Sequence, residues 1–139
     1  MLDRRSALAS FAALAAGASL GLGSEATSAA GRAAKPLKIL VLGGTRFIGL
    51  HMTEAALRRG HTLTFFNRGR TNTGRFAEIE RIKGDRNGDV AGLAGRRWDA
   101  VIDNSGYFPR QVTLAAAQLA ANVGRYVFIS SISVYPDFS

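Results

Sequence analysis

The chain has 139 residues, room for one domain at most, and a formal charge of +8 in which 15 of the 18 basic residues are arginine. It has no cysteine, which excludes disulfides, thiolate catalysis and cysteine-ligated metals, and its two histidines, His51 and His61, are too few for a metal cluster. The excess charge suits anionic partners such as nucleotides, nucleic acid or an acidic membrane surface, or else reflects arginine-rich codon usage; the basic residues are scattered, unlike those of a nucleic-acid-binding tail.

Residues 1–34 differ in composition from the rest. Arg4 and Arg5 precede an uncharged run from Ser6 to Ser24 made mostly of Ala, Leu, Gly and Ser, and small residues follow at Ala26 to Ala30. This is the three-part layout of an export signal, and the paired arginines resemble a twin-arginine signal. Asp3 and Ala7 depart from that pattern, whereas Leu8 fits it. The expectation is export to the periplasm. The alternatives are an uncleaved anchor, or a misassigned start codon before a cytoplasmic protein. The Ala and Gly content makes stable membrane insertion unfavourable. Without these residues the chain still carries about +7 (15 basic minus 8 acidic).

From Leu37 the pattern alternates strand and helix. Leu37 to Leu42 is a short apolar run, as in a strand buried on both faces. Phe47 to Arg59 has helical spacing, with cations in its last turn and Gly60 just beyond. His61 to Phe66 reads as a second strand, Asn67 to Gly74 as a polar loop, and Glu78 to Lys83 as a strand nearer an edge. Asp89 to Ala94 reads as one or two helical turns. Ala100 to Ile102 reads as a fourth strand, ending at Asp103. Arg110 to Val123 reads as a helix stopped by Gly124, and Tyr126 to Ile129 as a fifth strand. Such alternation implies an α/β, Rossmann-like doubly wound parallel sheet, in order 3-2-1-4-5, with a crevice between the C-terminal ends of strands 1 and 4.

The turn between strand 1 and the first helix is Gly43-Gly44-Thr45-Arg46-Phe47-Ile48-Gly49. Gly43 permits a tight turn, the amides opening the helix face an anion, and Gly49 lets the helix pack on the sheet. A glycine spacing alone is weak. Between an apolar strand and an amphipathic helix it is much stronger. The bland alternative is a structural turn in a non-binding domain.

The segments "LGGTRFIG", "FFNRG", "IKGDR", "WDAVIDNSGY" and "YVFISSISVY" resemble, in that order, the extended short-chain dehydrogenase/reductase superfamily. Within it they are similar to NAD-dependent epimerase/dehydratase proteins, especially an atypical branch with the fingerprint GGTRFIG. A chloroplast RNA-binding branch has a similar fingerprint. The resemblance covers residues 37–139 and implies that this part is the N-terminal portion of an NAD(P)-binding domain. Typical relatives have a glycine where Arg46 stands. The arginine could bond the cofactor phosphates or, by its bulk, displace them. NAD-preferring relatives place an acid after strand 2, where this chain has Asn67-Arg68. A guanidinium there suits a 2′-phosphate, which points to NADP ahead of NAD. By resemblance, Asp85 and Arg86 follow strand 3 where an acid meets the adenine amino group. Asn104-Ser105-Gly106 matches the segment that runs beside the ribose.

Family members also use a Ser or Thr after strand 5, matched by Ser131, and a Tyr with a Lys four residues on. The tyrosines Tyr107, Tyr126 and Tyr135 are followed at that distance by Gln111, Ser130 and Ser139, so the pair is missing. The expectation is a fragment of an epimerase/dehydratase-like oxidoreductase, ending after strand 5, without turnover of its own. A full-length form would act on a nucleotide sugar or another small substrate. The alternative is a nucleotide- or RNA-binding protein without redox activity.

Overall fold

The computed structural model describes residues 31–131. Most of the expected export signal, and Tyr135 with the residues around it, lie outside the described residues. The described part holds five strands, β1 (Lys38–Leu42), β2 (Thr62–Asn67), β3 (Glu80–Lys83), β4 (Trp98–Asp103) and β5 (Val123–Phe128), with two α-helices, α1 (Ile48–Arg58) and α2 (Pro109–Leu119), and a single 3-10 turn at Ala91–Leu93. All strand pairs are parallel and the order is β3-β2-β1-β4-β5. This is the doubly wound arrangement that the alternation of elements implies.

The apolar run of β1 explains why it is central. Side chains alternate between the faces of a strand, so Leu40 and Leu42 join Phe66, Leu93, Trp98 and Val101 on one face. Ile39 and Val41 join Leu63, Phe65 and Ile79 on the other. Helix α2 covers the first face with Ala115 and Leu119, and α1 covers the second with Ala56 and Leu57. A strand covered on both sides must be apolar throughout, and four of the five β1 residues are buried.

Gly124 does not stop a helix. Helix α2 ends at Leu119, and a turn closed by the Asn122 amide on the Leu119 carbonyl (2.9 Å) leads straight into β5. Val123 pairs with Trp98, so Gly124 lies inside the strand. A Cβ there would sit 2.9 Å from the Asp99 carbonyl oxygen; the glycine is needed for close strand approach, not for capping. Strand β5 is outermost on its side, and Val127, Phe128 and Ile129 are exposed. Among the described residues no helix is long and apolar enough to cross a membrane.

Candidate functional site

The sheet changes direction of winding between β1 and β4, and the loops leaving their C-terminal ends meet there. Three glycines make the meeting possible, each for its own steric reason. Gly43 has φ +106°, and a Cβ on it would lie 2.5 Å from Asn104 Oδ1. Gly44 has φ +81° and lies against the Phe65 ring. Gly49 opens α1 so close to the loop that a Cβ would lie 2.7 Å from the Gly44 backbone. Three asparagines hold this loop by its main chain. Asn67 Nδ2 donates to the Gly43 carbonyl (3.2 Å), Asn72 Nδ2 donates to that of Thr45 (2.8 Å), and Asn104 Oδ1 accepts from the Gly44 amide (3.3 Å).

Phe47 precedes α1 with φ 35° and ψ −111°, a region costly for a residue with a side chain, and its ring is 85% exposed. No side chain caps this helix end and no acid stands in its first turn. The amide dipoles therefore leave a positive end at the crevice without an anion from the described part of the chain. Ile48 beside it is exposed, and Thr45 is buried. Arg46 is exposed and donates to Thr71 Oγ1 at 3.3 Å, so it reaches from the glycine loop toward the loop after β2.

The end of β2 places Asn67 with both ends of its amide in use, Oδ1 accepting from the Gly69 amide at 2.9 Å. Arg68 is exposed beside it, and no carboxylate occupies residues 67–70. Asp85 lies within the electrostatic reach of Arg68 and Arg70. Its carboxyl is held below the usual range, first by the hydrogen bond from the Asn87 amide and then by those two guanidinia. The loop after β2 and the loop after β3 thus face one another across a cluster of charges.

Arg86 lies inside. Its guanidinium grips Asp103, which has no solvent exposure, by both carboxylate oxygens. The same two terminal nitrogens also donate to Ser105 Oγ (3.2 Å) and to the Gln111 carbonyl (3.2 Å), so all four terminal N–H groups are committed. Ser105 in turn donates its hydroxyl to the Leu42 carbonyl at 2.9 Å. The Gln111 side chain accepts from the Tyr107 amide (3.0 Å) and the Phe108 amide (3.4 Å), and it donates to Asn87 Oδ1 (3.0 Å). Tyr126 on β5 donates its hydroxyl to Asp103 Oδ2 at 2.6 Å. Burial, then this hydrogen bond, pushes its phenol well above the ordinary value, so it stays neutral and is no candidate base.

The fold brings Gly43 to Gly49, Asn67, Ser105 and Asn104 together at one crevice, with Arg68 and Asp85 beside it. Arg86 meets the crevice from within, through Ser105. Ser131 is exposed three residues past β5, at the same end of the sheet. The residues that the sequence reading passed over are Asp103, Asn72, Gln111 and Tyr126. An acid closing the apolar stretch AVID was the available signal for the first; the others show none. An open depression of about 490 Å³ lies at the opposite end of the sheet, lined by Lys38, Trp98, Asp99 and Asn122, away from this chemistry. Among the described residues no group of His, Asp and Glu is arranged to hold a metal ion.

The profile of the NAD dependent epimerase/dehydratase family matches residues 39–139. A curated relative, the chloroplast stem-loop binding protein of 41 kDa b of Arabidopsis thaliana, is 32% identical over 114 residues, which cover 70% of this chain and 30% of that protein. A crystal structure of a Burkholderia pseudomallei protein, provisionally named as exported, is 30% identical and covers 68% of this chain and 48% of that one, with a TM-score of 0.47. This chain therefore spans less than half the length of either relative. By the profile match, supported by the sheet order and the glycine loop, the chain belongs to the NAD-dependent epimerase/dehydratase family.

Proposed function

We propose that residues 37–131 bind a dinucleotide across the crevice between β1 and β4, and that the cofactor is NADP ahead of NAD. The observation that carries this reading is the turn itself. Two positive-φ glycines, a third that admits close helix packing, and a helix end without an anion from the described residues together suit a pyrophosphate. The residues fit the group. Gly43 to Gly49 would take the pyrophosphate, with Arg46 at its side. Asp85 is available to the adenine amino group, Arg68 to a 2′-phosphate, and the Asn104–Ser105 backbone to the second ribose. The cofactor would supply hydride transfer. Ser131 would orient a substrate oxygen, and a nucleotide sugar or another small hydroxyl or carbonyl compound is the substrate class proposed for the longer protein. Calorimetric titration of the chain with NADP and NAD tests the reading: NADP should bind more tightly, and absence of binding by both would refute it.

A second reading has its own support. Arg46, Arg68 and Arg70 are exposed near the crevice together with Phe47, Tyr107 and Phe108, a mixture of cations and aromatic faces that suits single-stranded nucleic acid. The Arabidopsis relative is named for stem-loop binding. Tight, steeply salt-dependent binding of an RNA stem-loop, with no response to either dinucleotide, would favour this reading over the first.

Export rests on residues 1–34. Fused to a folded reporter, this segment should carry it to the periplasm, and Arg4→Lys with Arg5→Lys should stop it. A reporter that stays in the cytoplasm with the native segment would refute the signal.

A further inference from the structure

A buried ion pair contributes little net stability, because desolvation of both charges offsets their attraction, and apolar residues of similar size often hold a fold as well. The Arg86–Asp103 pair is nevertheless almost fully enclosed, with side-chain exposures of 9% and 0%. What distinguishes it from a simple ion pair is where the other donors go. Arg86 belongs to the loop after β3, in the half of the sheet made by β1, β2 and β3. Its remaining terminal donors go to Ser105 and to the Gln111 carbonyl, which bracket the loop between β4 and α2 in the other half. Ser105 is thereby held between the guanidinium and the Leu42 carbonyl at the end of β1. Gln111 holds the Tyr107 and Phe108 amides with its side-chain oxygen. Both ends of the Asn104–Phe108 loop are thus referenced to one guanidinium.

In a doubly wound sheet each half serves one mononucleotide of a dinucleotide. We propose that Arg86 is a positioning residue that sets the loop over β4 for the second mononucleotide of the ligand, acting through Ser105 and Gln111 without touching the ligand. The proposal rests on the dinucleotide reading. The planar fork is essential to it. A lysine could pair with Asp103, but its single nitrogen cannot span Asp103, Ser105 and the Gln111 carbonyl in this geometry. Most supports of the first half do not pass through Arg86, since Asn67 and Asn72 hold the Gly43 and Thr45 carbonyls and the Asn87 amide holds Asp85; Asn104 on the Gly44 amide and Gln111 on Asn87 link it to the loop that Arg86 sets.

The test compares the full-length chain with its Arg86→Lys variant, titrated with NADP, with NAD, and with adenosine 2′,5′-bisphosphate, which stands for the first half alone. The wild-type chain should bind NADP more tightly than the bisphosphate. Loss of loop preorganisation in Arg86→Lys should weaken NADP at least about 10-fold and leave the bisphosphate within about 2-fold. Equal weakening of both ligands, or of neither, would overturn the proposal, as would a wild-type chain that gains nothing from the second half. A wild-type chain that binds none of the three overturns the dinucleotide reading itself, and this proposal with it. If Arg86→Lys fails to melt cooperatively, Arg86→Met with Asp103→Leu, which leaves no lone buried charge, should give the same split between ligands. If neither variant folds, the pair is structural only and the proposal is wrong.

Discussion

Gly49 shows how two opposing effects at one residue can be weighed. Alanine is a better helix former than glycine by about 0.8–1 kcal/mol. The added Cβ, however, would sit 2.7 Å from backbone atoms of Gly44, and backbone cannot swing aside as a side chain can. Overpacking of this kind costs about 1–3 kcal/mol, so the clash wins. Gly49→Ala should lower stability in a denaturant titration and should weaken dinucleotide binding more than it weakens the fold, because the part that must shift is the cradle. An unaltered affinity would show that the loop is not the phosphate site. Arg68 is the other informative single residue. It stands exposed at the end of β2, where residues 67–70 hold no carboxylate, so Arg68→Asp should reverse the preference from NADP to NAD, as read by paired calorimetric titrations. An unchanged preference would move the specificity elsewhere, with Arg70 as the nearest cation.

At the scale of elements, β5 is attached to β4 by more than its ladder. The Tyr126 hydroxyl reaches across to Asp103, at the point where the buried network meets the sheet. Tyr126→Phe removes this bond to a charged carboxylate and leaves Asp103 its contacts to Arg86, a loss of about 1.5–3 kcal/mol. The pH dependence follows from the raised phenol. Above the ordinary tyrosine value of 10.0 an unfolded Tyr126 releases its proton while the folded one keeps it. The folded state then binds more protons, so stability falls as pH rises beyond that value. Tyr126→Phe should remove its share of this alkaline fall and leave the profile near neutrality parallel to that of the wild type. Thermal melts between neutral and strongly alkaline pH check this, and identical alkaline slopes would contradict the assignment. The difference between the expected and observed ends of α2 has its cause at this scale as well. Periodicity extends the Ala-rich pattern to Val123, but pairing of Val123 with Trp98 and the Trp98 amide on the Asn122 carbonyl draw those residues into the sheet.

At the scale of the whole molecule the question is turnover. The residues around the crevice fit a cofactor, whereas no tyrosine among the described residues is followed four positions on by a lysine. Tyr126 is held neutral by burial and by Asp103, Tyr107 is 82% exposed with Gln111 four residues on, and no tyrosine of the sequence has a lysine at that distance. General acid-base catalysis contributes about 10²–10⁴-fold, and positioning by a substrate domain about 7–11 kcal/mol. This chain alone should therefore show no turnover above background when cofactor absorbance is followed with nucleotide sugars and simple carbonyl compounds. Turnover that Ser131→Ala abolishes would show that another residue supplies the proton.

The amino-acid sequence alone determined the alternation of elements and the place of the glycine loop, and the alternation implied the order of the sheet. These are local properties: an apolar run, a helical spacing or a glycine turn is readable within a few residues because it expresses backbone geometry and the periodicity of burial. Only the tertiary structure decided how the crevice is held. The asparagine on Gly44 is 60 residues away in sequence, the one on Thr45 is 27 away, and Arg86 and Asp103 are 17 apart. Asn67 and Arg86 have hydrogen-bonding groups turned to the protein's own backbone and to the Asp103 carboxylate. A polar side chain has the same composition whether it faces a ligand or a backbone. Which of the two it meets depends on chain segments brought together by folding, and no local pattern records that choice.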